Sequence, residues 1–225
     1  MLNQTIKYTI YFSLFVQITT TILSLDGLKY TLDDKDKILR DILKLEAFVQ
    51  FVETGFYVWV INSIKELDKI TPRRYIDWYI TTPTMLISTI IFMKYAKEKE
   101  ENNEIEFWDF LSKNKENIKT IVILNMGMLT CGLLAELGCS NKYFLVFIGF
   151  IFFAYLFKHI YEEYAVESEE GLKLFYFLTI VWGLYGVAAL MSVTNKNIAY
   201  NLLDIVSKNF YGLFIYKKIL QLKTY

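Results

Sequence analysis

The chain has 225 residues, of which 54% are hydrophobic and 17% aromatic, and its 24 Lys and Arg balance 24 Asp and Glu. A formal net charge of zero excludes strong attraction to nucleic acid. The apolar residues come in long blocks, a distribution that fits a lipid bilayer rather than a water-soluble core.

Seven stretches of about 20 mainly apolar residues follow one another, near 4–25, 39–63, 74–97, 118–138, 142–163, 171–193 and 197–220. They use nearly the whole chain, which predicts an all-α membrane protein, multi-pass and integral, with seven transmembrane helices in one domain spanning 1–225. The first segment lacks the charged start and small-residue cleavage site of a signal peptide, so it reads as a retained helix. It carries Thr9, Ser13, Gln17 and Thr20 or Thr21 every three or four residues. The second carries Glu46, Gln50, Glu53 and Tyr57 at spacings of four, three and four. Each set makes one polar stripe along a helix. The two glutamates lie about 10 Å apart along the axis, too far for both to belong to an interfacial fringe.

Pro72 falls just before the third segment, where proline starts helices well, and Pro83 falls inside it and predicts a kink. The 94–119 connection is the longest, and its IEFWDFL run reads as a short surface helix. Cys131 and Cys139, on or beside the fourth segment, are too far apart along a helix to form a disulfide. His159, the single histidine, sits near a helix end and reads as interfacial. With the N-terminus extracellular, the connections near 26–40, 94–119 and 158–173 and the tail after Lys217 hold about 15 Lys and Arg, and the opposite side about six. That asymmetry predicts a cytoplasmic C-terminus.

Ionisable groups inside a bilayer segment cost about 3 kcal/mol each on insertion scales and mark function by default. Asn201, Asp204 and Lys208 in the seventh segment share one helix face. Arg74, Asp77, Thr81 and Ser88 share another in the third. A buried lysine needs an anion, which the two aspartates would supply. On spacing alone, a structural ion-pair knot between helices explains the pattern equally well.

The segment RRYIDWYITTPTML closely resembles the third helix of microbial rhodopsins, in the order Arg, Asp, Trp, Thr-Thr-Pro. The segment LLDIVSKNFYG resembles their seventh helix, in which an Asp precedes the retinal-bearing Lys by one turn. The resemblance covers essentially the whole chain, the first two segments matching in kind only. It implies all-trans retinal bound covalently as a Schiff base on Lys208, Asp77 as main counterion, Asp204 as the second, Arg74 as the cation below them, and Thr81 hydrogen-bonded to Asp77. It implies a chromophore pocket built from Trp78, Thr82, Met85, Asn125, Met128, Gly132, Gly149, Phe153, Trp182 and Tyr185. Any one of these aromatics taken alone reads equally as membrane packing.

The chain departs from the family's proton pumps. A carboxylate that returns a proton to the Schiff base is replaced by Ser88, a hydroxyl unsuited to donate at neutral pH. The SVTNKN connection lacks the proton-releasing glutamate pair, and Trp182, Tyr185, Gly186 and Ala189 stand where the family reads Trp-x-x-Tyr-Pro-x-x-Trp. Ser13, Glu46, Glu53 and Asn201 are instead similar to viral rhodopsins of giant algal viruses, in particular the channel-forming group. That resemblance implies a light-gated cation channel with a hydrated path along the polar stripes, the carboxylates favouring cations. A weak outward proton pump and a sensory rhodopsin are the alternatives, and a subunit interface or a closed hydrogen-bond network is the other reading of the stripes. The partners expected are the bilayer and the transported cations or protons, with a homo-oligomer left open. No enzyme motif, metal cluster or nucleotide loop is present.

Overall fold

A computed structural model describes residues 4–62 and 67–224. They form a helical bundle: α1 (Gln4–Gly27), α2 (Ile38–Asn62), α3 (Leu67–Glu100), the short α4 (Phe107–Lys113), α5 (Lys115–Glu136), α6 (Lys142–Glu163) and α7 (Glu169–Ala189). The last rod is α8 (Val193–Asp204), a π-helical turn over Ile205–Asn209, and α9 (Phe210–Leu222). The only β pairing among the described residues is an isolated bridge between Thr31 and Thr224. Residue 63, where the second apolar segment was expected to end, lies outside the described residues.

Two expectations shift. α3 begins at Leu67, so Pro72 lies within its first turns instead of preceding it, and Pro83 lies farther along the same continuous helix. Only the first four N–H groups of a helix are spare, so Pro72, the sixth residue of α3, leaves one main-chain carbonyl of the preceding turn without its helical donor. The long connection is largely helical, because α3 runs on to Glu100 and α4 occupies Phe107–Lys113. Glu106 caps α4 by accepting a hydrogen bond from the Asp109 amide at 2.6 Å. Cys131 and Cys139 are both free.

Neighbours in sequence pack as neighbours in space, and the last rod closes the ring against α1, α2 and α7. The bundle is polar inside and apolar outside. On α1, Ser13, Gln17, Thr20 and Ser24 are buried, while Tyr11, Phe12 and Phe15 point out, Phe15 at 66% exposure. Water would favour the reverse; lipid permits it. Among the described residues, five helices are long and apolar enough to cross a membrane: Gln4–Gly27, Ile70–Glu100, Lys115–Glu136, Lys142–Glu167 and Glu169–Ala189. α2 and the last rod carry inward-facing charges instead, among them Glu46, Glu53, Asp204 and Lys208, all buried.

At the end of the bundle that holds the 28–37 link, Leu39, Ile42, Leu43, Ile215 and Ile219 form a sealed apolar layer. Gly27 is needed beneath it, since a Cβ there would come within 2.6 Å of Leu43 and 2.7 Å of Tyr216. The link is pinned to the end of the chain by the Thr224 amide on the Thr31 carbonyl, 3.1 Å, and by the Tyr216 hydroxyl on Asp26, 3.2 Å.

Candidate functional site

The π-helical turn centres the site. A wider turn holds one residue more than an α turn, and such turns recur at functional positions. Here it buries three consecutive side chains, Ser207, Lys208 and Asn209, which a regular helix would distribute around its circumference. Lys208 points toward α2 and α3, and Asn209 points toward α1.

Three carboxylates meet the Lys208 ammonium. Its Nζ donates to Asp77 Oδ2 at 2.8 Å and to Glu53 Oε1 at 3.0 Å, and lies 3.6 Å from Asp204 Oδ1. Asp204 has further donors: Arg74 Nη1 at 3.0 Å and the Tyr57 hydroxyl at 2.8 Å on Oδ2, and the Tyr185 hydroxyl at 2.8 Å on Oδ1. Arg74 is fully buried, also donates to Asn201 Oδ1, and lies over the Phe56 ring at 5.4 Å. Removing such charges from water is tolerated because each finds an opposite charge and hydrogen bonds.

The helix 2 glutamates part company. Glu53, expected with Ser13, Glu46 and Asn201 along an ion path, bonds Lys208 directly. Glu46 meets the Ser88 hydroxyl, which also lies 2.9 Å from the Met85 carbonyl. Ser13 donates to the Asn201 main-chain carbonyl at 2.9 Å, and Asn201 donates to Thr9 at 2.9 Å. Thr81 does bond Asp77, but through the main-chain carbonyl at 3.0 Å and not through the carboxylate.

Beyond Lys208 a row of buried polar groups runs between α1, α2 and the last rod. Asn209 donates to Gln17 at 2.7 Å and Thr20 at 2.6 Å, and Ser24 donates to Gln50 at 2.9 Å. Gln17 Nε2, Gln50 Nε2, Glu46 Oε2, Asn209 Oδ1 and the Tyr211 hydroxyl have no protein partner. Buried polar atoms are almost always bonded, and the bonds of these five are left to groups outside the protein chain.

On the other side of Lys208 lies an apolar cavity. Met85, Met128, Gly132, Gly149 and Phe153 line it, with Trp78, Thr82, Trp182 and Tyr185, and Ser207 and Lys208 stand in its wall. Asn125, expected here, is one step behind: its Nδ2 donates to Thr82 Oγ1 at 2.8 Å, joining α5 to α3. Tyr75, Tyr200 and Phe150 also line the cavity and escaped the sequence reading. Tyr75 was within reach of it, since Tyr75, Trp78, Thr82 and Met85 repeat at helical spacing. Phe150 explains the unusual α7 pattern: a Cβ on Gly186 would lie 2.4 Å from its ring, so Phe150 fills the room left by the missing proline and second indole.

An amine at the edge of an apolar slot walled by two indoles, its charge balanced on the opposite side, fits a long apolar aldehyde held through nitrogen. Gly132 keeps the wall thin, as a Cβ there would come within 2.5 Å of the Tyr75 hydroxyl.

A family model described as bacteriorhodopsin-like protein matches residues 7–222. The chain is 24% identical over 179 residues to a green-light absorbing proteorhodopsin of Gamma-proteobacterium EBAC31A08, covering 71% of this chain and 64% of that protein's length. Among solved structures, viral rhodopsin OLPVRII superimposes with a TM-score of 0.83 at 26% identity, covering 97% of this chain and 99% of the other. Bromide-bound halorhodopsin from Halobacterium salinarum shares the fold, with a TM-score of 0.76 at 13% identity over 97% of this chain and 95% of that one.

Proposed function

Since the chain belongs to the bacteriorhodopsin-like family of microbial rhodopsins, integral membrane proteins with a retinal chromophore, we propose that it carries all-trans retinal covalently on Lys208 and acts as a light-gated cation channel. In this reading the N-terminus is extracellular and the seven long rods, α2 and the last one included, cross the bilayer. The mid-rod charges Glu46, Glu53, Asp204 and Lys208 are buried and face the interior, away from the lipid.

Retinal, when bound, supplies light absorption and a bond isomerisation. The protein's part is to hold a proton at Lys208 Nζ between Asp77 and Glu53, to keep Asp204 charged with Arg74, Tyr57 and Tyr185, and to exclude water with the Trp78 and Trp182 walls. Movement at Lys208 loosens its pairs with α2 and α3. The row from Asn201 through Asn209 and Gln50 to Glu46 then hydrates, and the apolar layer at Leu39, Leu43 and Ile219 parts. Carboxylates along that row favour cations.

The observation that carries the reading is the polar row itself, buried between α1, α2 and the last rod with several of its atoms lacking a protein partner, where a tightly sealed bundle would satisfy or omit such groups. Voltage-clamped photocurrents test it. A channel gives a current whose sign reverses with voltage and follows the cation gradient. A current that stays outward at every voltage refutes it. Lys208→Ala should take up no retinal covalently.

One observation favours an outward proton pump as the second reading. Glu46 reaches Ser88, the position where pumps of this family keep a carboxylate, so α2 provides there the acid that α3 lacks.

A further inference from the structure

The three carboxylates do not hold Lys208 alike. Asp204 has Arg74, Tyr57 and Tyr185 on its two oxygens and stands farthest from Nζ, at 3.6 Å, so its charge is compensated without the lysine. Glu53 and Asp77 each spend one oxygen on Nζ, and the second, Oε2 and Oδ1, is buried with no partner. Three carboxylates face two cations here, Lys208 and Arg74, leaving an excess of one negative charge. Arg74 pairs with Asp204 and stands one turn from Asp77 on the same face of α3. The cation paired with Glu53 is Lys208, at 3.0 Å. Glu53 therefore loses its paired cation when Lys208 gives up its positive charge, while Asp77 keeps Arg74 one turn away on α3.

We propose that Glu53 on α2 accepts the proton that leaves Lys208 Nζ in the light, in place of the aspartate on α3. The N–H bond breaks with its electron pair remaining on nitrogen, and an O–H bond forms at Glu53 Oε1, 3.0 Å away. Nitrogen loses its positive charge and the carboxylate its negative one, so no net charge is added to the core. The same transfer abolishes the ion pair that ties α2 to the π-helical turn. Glu53 stands at the head of the polar row on α2, where neutralisation frees the side chain to move. The inference rests on the chromophore reading and not on the channel reading.

Light-minus-dark infrared spectroscopy on protein labelled with ¹³C-glutamate or ¹³C-aspartate decides it. The expected result is a protonated-carboxyl stretch that rises as the visible spectrum reports loss of the proton from nitrogen, and that shifts with the glutamate label only. In Glu53→Gln that band disappears and deprotonation slows by roughly 100-fold or more, the effect of removing a positioned proton acceptor. Glu53→Asp restores the band, now sensitive to the aspartate label. A band that follows the aspartate label in the unsubstituted protein, or deprotonation at an unchanged rate in Glu53→Gln, overturns the proposal. If Glu53→Gln forms no pigment, the labelled unsubstituted protein still decides. A glutamate band with a strictly outward current refutes the channel and leaves this inference standing. No light-induced spectral change after retinal is added refutes the chromophore reading instead.

Discussion

Consider Lys208→Ala in the retinal-free protein. The substitution removes a cation held at 2.8 Å by Asp77 and 3.0 Å by Glu53 and leaves Arg74 to offset three buried carboxylates. Asp204 retains its other donors, whereas Glu53 and Asp77 lose their lysine. At least one of them must then take a proton to remain buried. At pH 7, protonating a carboxyl of ordinary acidity costs about 4 kcal/mol, from roughly 1.4 kcal/mol per pH unit over about three units. That agrees with the ~3–5 kcal/mol found when one partner of a buried pair is removed. Denaturant unfolding in detergent should show this loss. Acidification to pH 5 should recover about 3 kcal/mol of it, because the proton becomes cheaper by about 1.4 kcal/mol per unit. Adding Glu53→Gln should restore stability at pH 7 with a coupling of at least about 2 kcal/mol in a double-mutant cycle, well above the ~0.5 kcal/mol scatter of independent sites. Additive effects, or a deficit that does not change with pH, would refute the three-carboxylate arrangement.

The cavity wall makes a second, paired prediction. Gly132→Ala, whose methyl would lie 2.5 Å from the Tyr75 hydroxyl, should lower pigment yield and shift the absorption band on reconstitution with retinal, while Gly149→Ala, with 3.6 Å to Cys131, should be tolerated. Equal behaviour of the two would disprove the wall described here. Glu46→Gln should reduce the passive photocurrent several-fold, and an unchanged current would remove Glu46 from the ion path. At the opposite end of the bundle, Lys196 and Glu136 form a 2.5 Å pair with side chains 4% and 10% exposed. Lys196→Met should cost about 2–3 kcal/mol, somewhat below the value for a fully sealed pair, and Glu136→Gln in the same chain should recover most of it. Unfolding in detergent measures both.

Much of this protein is determined by the order of its residues alone. Bilayer-length apolar blocks leave a chain little choice but helices, because every backbone group must be satisfied within its own segment. The Arg-x-x-Asp-Trp and Asp-x-x-x-Lys patterns place ionisable groups on single helix faces, and such local spacing needs no knowledge of neighbours. The α4 helix was legible from one short amphipathic run. Contacts across the bundle were not. Glu46 and Glu53 share one stripe on α2, yet one meets Ser88 and the other Lys208, since those partners come from α3 and from the last rod and depend on how the rods are rotated against each other. The π-helical turn that aims Lys208 and Asn209 in different directions leaves no trace in helical periodicity. Nor does the sequence reveal that Phe150 fills the space beside Gly186, or that Lys196 finds Glu136 on another helix. A helix face is a property of a segment, and a pocket or an ion pair is a property of the packing between segments; only the tertiary structure decides the latter.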